Sequence, residues 1–242
     1  MLFGSMPYRR LPNTDQARIR ALKAVVAKVD THNLYDLAVS LKTLTEARNF
    51  LTRFEAAQSY YSQCFERQSQ AGRKHQANVK MARLYISHFI QVLNLAVIRL
   101  ELRVAHKAYY GLPANSTNVP DLSAEAALVE WGRKIIDGEA KRTSQGGIPI
   151  YNPTIAKVRV HYDIFTDSYD RQKNLQSLTA RSLEALSAMR TTADELILDI
   201  WNQVEKKFED VSPNEKRLDL CRDYGLIYYY RTGEKRKEEA NE

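Results

Sequence analysis

The chain has 242 residues, 44% hydrophobic and 27% charged, with only nine Gly and seven Pro. That is the composition of a globular protein with enough chain to bury a sizeable core, and so few breakers argue against a turn-rich architecture. The net charge of +7 is uneven: residues 1–112 carry 17 Lys/Arg against 7 Asp/Glu, and residues 113–242 carry 19 against 22.

Met1 to Ser5 offers no apolar core for a signal peptide before Arg9 and Arg10, and Met6 is as good a start as Met1. A cytoplasmic location is expected by default. Asn13 is expected to cap a first helix, with Gln16 three residues on and an apolar stripe from Ile19 to Val29. Asp30 to Asn33 break it. A second helix is expected over 34–70, because Leu34, Leu37, Leu41, Leu44, Ala47, Leu51, Phe54, Ala57, Tyr61 and Phe65 recur every three or four residues. Gly72 is expected to end it.

A third helix is expected over 74–110, stopped by Gly111 and Pro113. Its middle, Leu84 to Val97, is apolar nearly all round, so it should be the most buried helix. It is interrupted by Ser87, His88, Gln91 and Asn94 and is too short for a bilayer, which needs about 20 residues. Residues 112–122 read as a linker, and Ser123 as the cap of a short helix carrying Leu128, Trp131, Ile135 and Ile136. Gly146 to Tyr151 must be extended. Asn152-Pro153 reads as the start of a helix over 153–188, followed by helices over 191–209 and from Ser212-Pro213 to Gly225. Leu226 to Arg231 has strand composition, and the charged tail 233–242 is expected to be disordered.

Leu84–Val92 aligns with Leu196–Val204, each in the second member of an expected helix pair. The resulting expectation is an all-α fold: an antiparallel bundle of four long helices in two hairpins, with a pseudo-repeat, short extra helices and at most a small C-terminal β piece. It forms one domain over 1–232, with subhalves 14–111 and 123–210. Three segments, Tyr8–Lys23, Ala82–Ala96 and Asn152–Val160, resemble a family of uncharacterised all-α proteins from Bacteroidetes. The resemblance implies a helical fold and carries no catalytic residue across.

Common catalytic and nucleotide-binding motifs are absent, and Gly146-Gly147 is too short to cradle a phosphate. No Glu-x-x-His occurs, so the acidic residues Asp163, Asp167, Asp170, Asp194, Glu195 and Asp199 read as solvated faces, with no metal and no cofactor expected. Cys64 and Cys221 read as reduced thiols. The five histidines, His32, His75, His88, His106 and His161, are not spaced to pair on a helix. His88 stands out, because Ser87, Gln91 and Asn94 lie nearby and Asp199 and Gln203 occupy the repeat-related places. These six residues are expected to form a polar core network or a ligand site.

A basic face of Arg67, Arg73, Lys74, Lys80, Arg83, Arg99, Arg103 and Lys107 is opposed only by Glu101 in its span. It could neutralise phosphates, lie open to solvent or contact the acidic half. Tyr228, Tyr229 and Tyr230 either pair with Ile148–Tyr151, cover the bundle end or form a partner surface. The leading functional expectation is a non-enzymatic helical scaffold or protein-interaction module, with a protein partner or self-association. Alternatives are a nucleic-acid-binding protein using the basic half, and an enzyme or ligand binder with a polar core site near His88.

Overall fold

A sequence with so few helix breakers folds mainly as helix. The computed structural model describes residues 7–31 and 37–230, and the chain is 75% helical. It is all-α, with a single two-stranded sheet among the described residues. The helices are α1 (Asp15–Thr31), α2 (Leu41–Ile98), α3 (Glu125–Ser144), α4 (Ile155–Ala188), α5 (Arg190–Lys207) and α6 (Asn214–Asp223), with a 3-10 helix at Val104–Tyr110. Strand β1 (Tyr8–Arg9) pairs antiparallel with β2 (Tyr228–Tyr229). The expected break at 30–33, His32, the helix start at Leu34, the choice between Met1 and Met6 and the tail 233–242 fall wholly or partly outside the described residues.

Three helix starts are capped by hydroxyls. Thr14 Oγ1 accepts from Ala17 N at 3.2 Å, so Thr14 rather than Asn13 caps α1. Ser40 Oγ accepts from Thr43 N at 3.2 Å and starts α2. Thr154 Oγ1 accepts from Lys157 N at 3.4 Å, so Thr154 replaces the expected Asn152-Pro153 start. Ser123 instead bonds Asp121, and α3 begins after Ala124 with no side-chain cap.

The two expected hairpins are corrected at both turns. Helices expected separately over 34–70 and 74–110 are one helix of 58 residues. An interior glycine costs a helix only about 1 kcal/mol relative to alanine, so Gly72 does not break it. At the second turn Met189 keeps right-handed helical geometry, φ −83° and ψ −14°, between α4 and α5. The second half of α2 ends at Ile98, twelve residues before the expected Tyr110. It is also not buried all round, since Met81, Leu84, Leu95 and Ile98 are exposed. One 18-residue stretch of α2 is apolar and long enough to cross a membrane by composition, and 44% of it is buried.

Packing divides the chain into two compact units. The first is Met1–Gln63 with Ala180–Glu242. Its core brings Leu22 and Val25 of α1 against Phe50 and Phe54 of α2 and Ile197 and Trp201 of α5. Bidentate Arg18–Asp194 and Arg190–Asp15 pairs hold α1 to the residues of α5. Tyr228–Tyr229 closes this unit by pairing with Tyr8–Arg9, not with Ile148–Tyr151.

The second unit is Cys64–Thr179. Here the α2 positions Val79, Ala82, Ile86, Phe89, Leu93 and Ala96 are buried, and Phe89, Leu128, Ile135, Val158 and Phe165 are wholly so. Gly132 admits the Tyr162 ring, which stands where a Cβ would lie 2.2 Å away, and Tyr162 Oη donates to Val129 O at 2.9 Å. Gly138 gives the same close approach to the backbone of Tyr109.

Between these contacts lies a buried polar clasp. Glu139, Arg142 and Tyr110 are essentially inaccessible. Glu139 Oε1 accepts from Arg142 Nη2 at 2.9 Å and from Ile150 N at 3.0 Å. Its Oε2 accepts from Tyr110 Oη and from Arg142 Nε, the latter at 3.0 Å. Arg142 Nη2 also donates to Ile148 O at 2.8 Å. One carboxylate thereby ties α3, the 3-10 helix and the extended 148–150 segment together. Burial, then the Glu139 hydrogen bond, pushes the Tyr110 hydroxyl well above its ordinary value of 10.0 and keeps it protonated as a donor. Replacing Arg142 by Ala leaves Glu139 buried without its counter-ion and should cost about 3–5 kcal/mol. Urea unfolding followed by circular dichroism checks this, and a loss below about 1 kcal/mol would show that the carboxylate finds water instead.

Candidate functional site

Periodicity places the second unit's helix faces. On α2 the buried seam of Val79, Ala82, Ile86, Phe89, Leu93 and Ala96 has spacings alternating between three and four. Shifting that seam by two residues gives Met81, Leu84, His88, Gln91, Leu95 and Ile98, on the opposite side of the helix. All six are exposed: Met81 40%, Leu84 57%, Leu95 49% and Ile98 61%, with His88 and Gln91 also in the exposed class. The alternation of three and four is the 3.5-residue period by which one helix packs along another.

The stripe ends in a strained turn. Leu100 sits at φ +60° and is 91% exposed. Glu101 N donates to Ala96 O at 2.9 Å and Leu100 N to Val97 O at 3.1 Å, the crossed pair that closes a helix C-terminus around a left-handed residue. Glycine is the usual occupant, and a leucine there costs about 1–2 kcal/mol. Beside this turn, Val92, Leu102, Ile148 and Ile150 line a groove of about 530 Å³, rimmed by the Arg99–Glu101 pair.

A second feature is a groove of about 700 Å³ between α2 and α4 within this unit. Arg67 and Lys74 of α2 line it with Arg171 of α4, opposed by Asp167. His75, 2% exposed, stacks on Phe165 with ring centroids 5.9 Å apart. Its Nδ1 lies 2.9 Å from Ser168 Oγ, and its Nε2 lies 3.2 Å from Glu125 Oε2. That second contact is out of line for a hydrogen bond, so Nε2 makes none despite its closeness. The order Ser168, His75, Glu125 is that of a nucleophile, base and carboxylate. However, Ser168 Oγ donates its single proton to Phe165 O at 2.8 Å, so that proton is not aimed at His75 as a nucleophile's would be. Ser168 also lies inside α4, where backbone N–H groups are engaged in the helix.

The structure separates the six residues expected to form one polar network. Ser87, His88, Gln91 and Asn94 belong to the second unit, and Asp199 and Gln203 to the first. Ser87 Oγ bonds Leu84 O, and buried Asn94 donates to Thr117 O at 2.9 Å. Asp199 and Gln203 instead build the start of α2: Gln203 Nε2 donates to Asp199 Oδ2 at 2.8 Å and to Thr43 Oγ1 at 3.0 Å, and Ser40 N donates to Gln203 Oε1 at 2.8 Å. Asp194 is occupied by Arg18.

The basic face also divides. Arg67 and Lys74 meet at the groove. Arg83 donates to Leu122 O and Ser123 O, and buried Lys107 to Ser116 O, so both hold the 112–123 segment. Arg99 pairs with Glu101. Arg73, Lys80 and Arg103 are exposed. Tyr228 Oη donates to Glu205 Oε1 at 2.8 Å, and burial raises the Tyr228 hydroxyl above its ordinary value. Tyr229 packs on the Tyr8 ring, and Tyr230 is half-buried. Sequence reasoning missed Arg171, Ser168 and the role of His75, because they meet only when α4 lies on α2.

Comparison with protein-family models, curated proteins and solved structures finds no match.

Replacing Leu100 by Gly removes the left-handed strain and almost no packing. It should stabilise the protein by about 1 kcal/mol and raise the thermal midpoint by a few degrees. Differential scanning calorimetry reads this directly, and a fall in the midpoint would show that the leucine side chain contributes packing.

Proposed function

We propose that this protein is a non-enzymatic helical protein-interaction module whose contact surface is the exposed stripe on α2. The observation that carries the reading is the stripe itself: four large apolar side chains in two pairs, Met81 with Leu84 and Leu95 with Ile98, on one helix face and all open to solvent. A soluble chain leaves single apolar residues exposed routinely, but aligned rows of them mark contact surfaces. The strained and almost wholly exposed Leu100 lies at the end of the row. On this reading each unit is a helical bundle, the location is cytoplasmic, and the relatives are the all-α Bacteroidetes proteins that three of its segments resemble. A photo-crosslinking residue at Leu95, introduced in living cells, should give discrete protein adducts on irradiation. The same residue at exposed Ala156 of α4 is the comparison. No adduct at Leu95, or the same adducts at both positions, would sink the reading.

A second reading, polyanion binding, draws on the convergence of Arg67, Lys74 and Arg171 on one groove. If nucleic acid binds there, log Kd against log salt should follow the number of phosphates contacted. Replacing all three by Gln should then lower the slope on mixed-sequence duplex DNA by about 2–3. Fluorescence anisotropy between low and physiological salt checks it, and an unchanged slope excludes the groove.

A further inference from the structure

The stripe reads the same in both directions. Its middle positions are polar, His88 and Gln91; outside them stand Leu84 and Leu95, and outside those Met81 and Ile98. Turn a second copy end over end about a two-fold axis between residues 89 and 90, and every position meets its chemical match. Met81 faces Ile98, Leu84 faces Leu95, and His88 faces Gln91. A symmetric dimer requires one patch to be complementary to itself in this way. A parallel pairing would set His88 against His88 and Gln91 against Gln91.

We propose that α2 docks antiparallel on α2 of a second copy of this chain through Met81, Leu84, His88, Gln91, Leu95 and Ile98. The proposal rests on the interaction reading above and names its partner. Four observations favour a second copy over other occupants. The 3-4 spacing calls for a helix, and the partner's helix carries the same spacing. The apolar layers lie outside and the polar layer at the centre, where imidazole and amide can each donate or accept. Arg83 is turned away to the backbone of Leu122 and Ser123, and of the two cations that flank the stripe Arg99 is paired with Glu101 and Lys80 stays at the exposed rim. A lipid surface would leave His88 and Gln91 without partners in the middle of the contact, where hydrocarbon penalises them. The contact spans about 25 Å of helix. Its area is modest, which places it with weak, concentration-dependent interfaces.

The test is sedimentation velocity on the full chain from micromolar to millimolar concentration. The mass should rise from 27.9 kDa towards twice that. Leu84→Glu should weaken the dimer at least 100-fold, and the double variant His88→Lys with Gln91→Lys at least 10-fold. His88→Glu with Gln91→Lys should keep the dimer within a few-fold or tighten it, because the antiparallel register faces each Glu with a Lys. All these positions are exposed, and circular dichroism with a thermal melt confirms that each variant is folded. A monomer at every concentration overturns the proposal, as does a dimer that ignores Leu84→Glu. Loss of the dimer in His88→Glu with Gln91→Lys overturns the antiparallel register. If the chain stays monomeric while crosslinks from Leu95 carry another protein's mass, the proposal fails and the interaction reading survives. If the chain instead floats with phosphatidylcholine vesicles and Leu84→Glu abolishes flotation, both fail in favour of a lipid surface.

Discussion

The second unit depends on taking one carboxylate out of water. Glu139 lies at the meeting point of a helix, a 3-10 turn and an extended segment, and each supplies it a donor. Burying a charge this deeply is tolerable only when every lone pair is engaged. That requirement fixes three pieces of chain at once. It sets where Tyr110 points, and it holds Ile148 and Ile150 at the edge of the groove beside Leu100. The apolar contacts of Phe89, Leu128 and Ile135 supply attraction without direction, whereas the clasp admits only one arrangement.

The two sides of α2 show how burial and exposure share one helix. Positions two residues apart lie about 200° around it, so a buried row and an exposed row can run along opposite sides of the same stretch of helix. The exposed row has core-like composition and surface placement. This is why the segment is long and apolar enough to cross a membrane by composition while less than half of it is buried.

The all-α class was legible in the low Gly and Pro content and the helical periodicity, and the core positions Leu44, Ala47, Leu51 and Phe54 stand in the expected row. Helix ends were less legible. Gly72 carried a stop signal that neighbouring helix formers outweighed, and Leu100 ended α2 with no signal at all, since leucine rarely adopts a left-handed conformation. The polar stripe at Ser87, His88, Gln91 and Asn94 was visible, but a hydropathy pattern cannot say which residues of an all-round apolar helix face inward. Asn94 turned in, while His88 and Gln91 turned out. The clasp was not legible because Glu139 and Arg142 look like an ordinary surface pair three residues apart. Its one trace was Gly138 and Gly147, each leaving room that a Cβ would fill: Gly147 beside the Arg142 side chain, and Gly138 against the backbone of Tyr109 and the ring of Tyr110.

The first unit is built from the two ends of the chain and the second from its middle. During synthesis the middle unit has all its residues once Thr179 has left the ribosome. The N-terminal segment, with Phe50 and Phe54 on α2, must wait for Ile197 and Trp201 to be made. The pairing of Tyr8 with Tyr229 comes last of all. Between Thr179 and Tyr229 the growing protein therefore has every residue of its centre while the N-terminal pairing is still unmade. Its early apolar residues are those most in need of a chaperone.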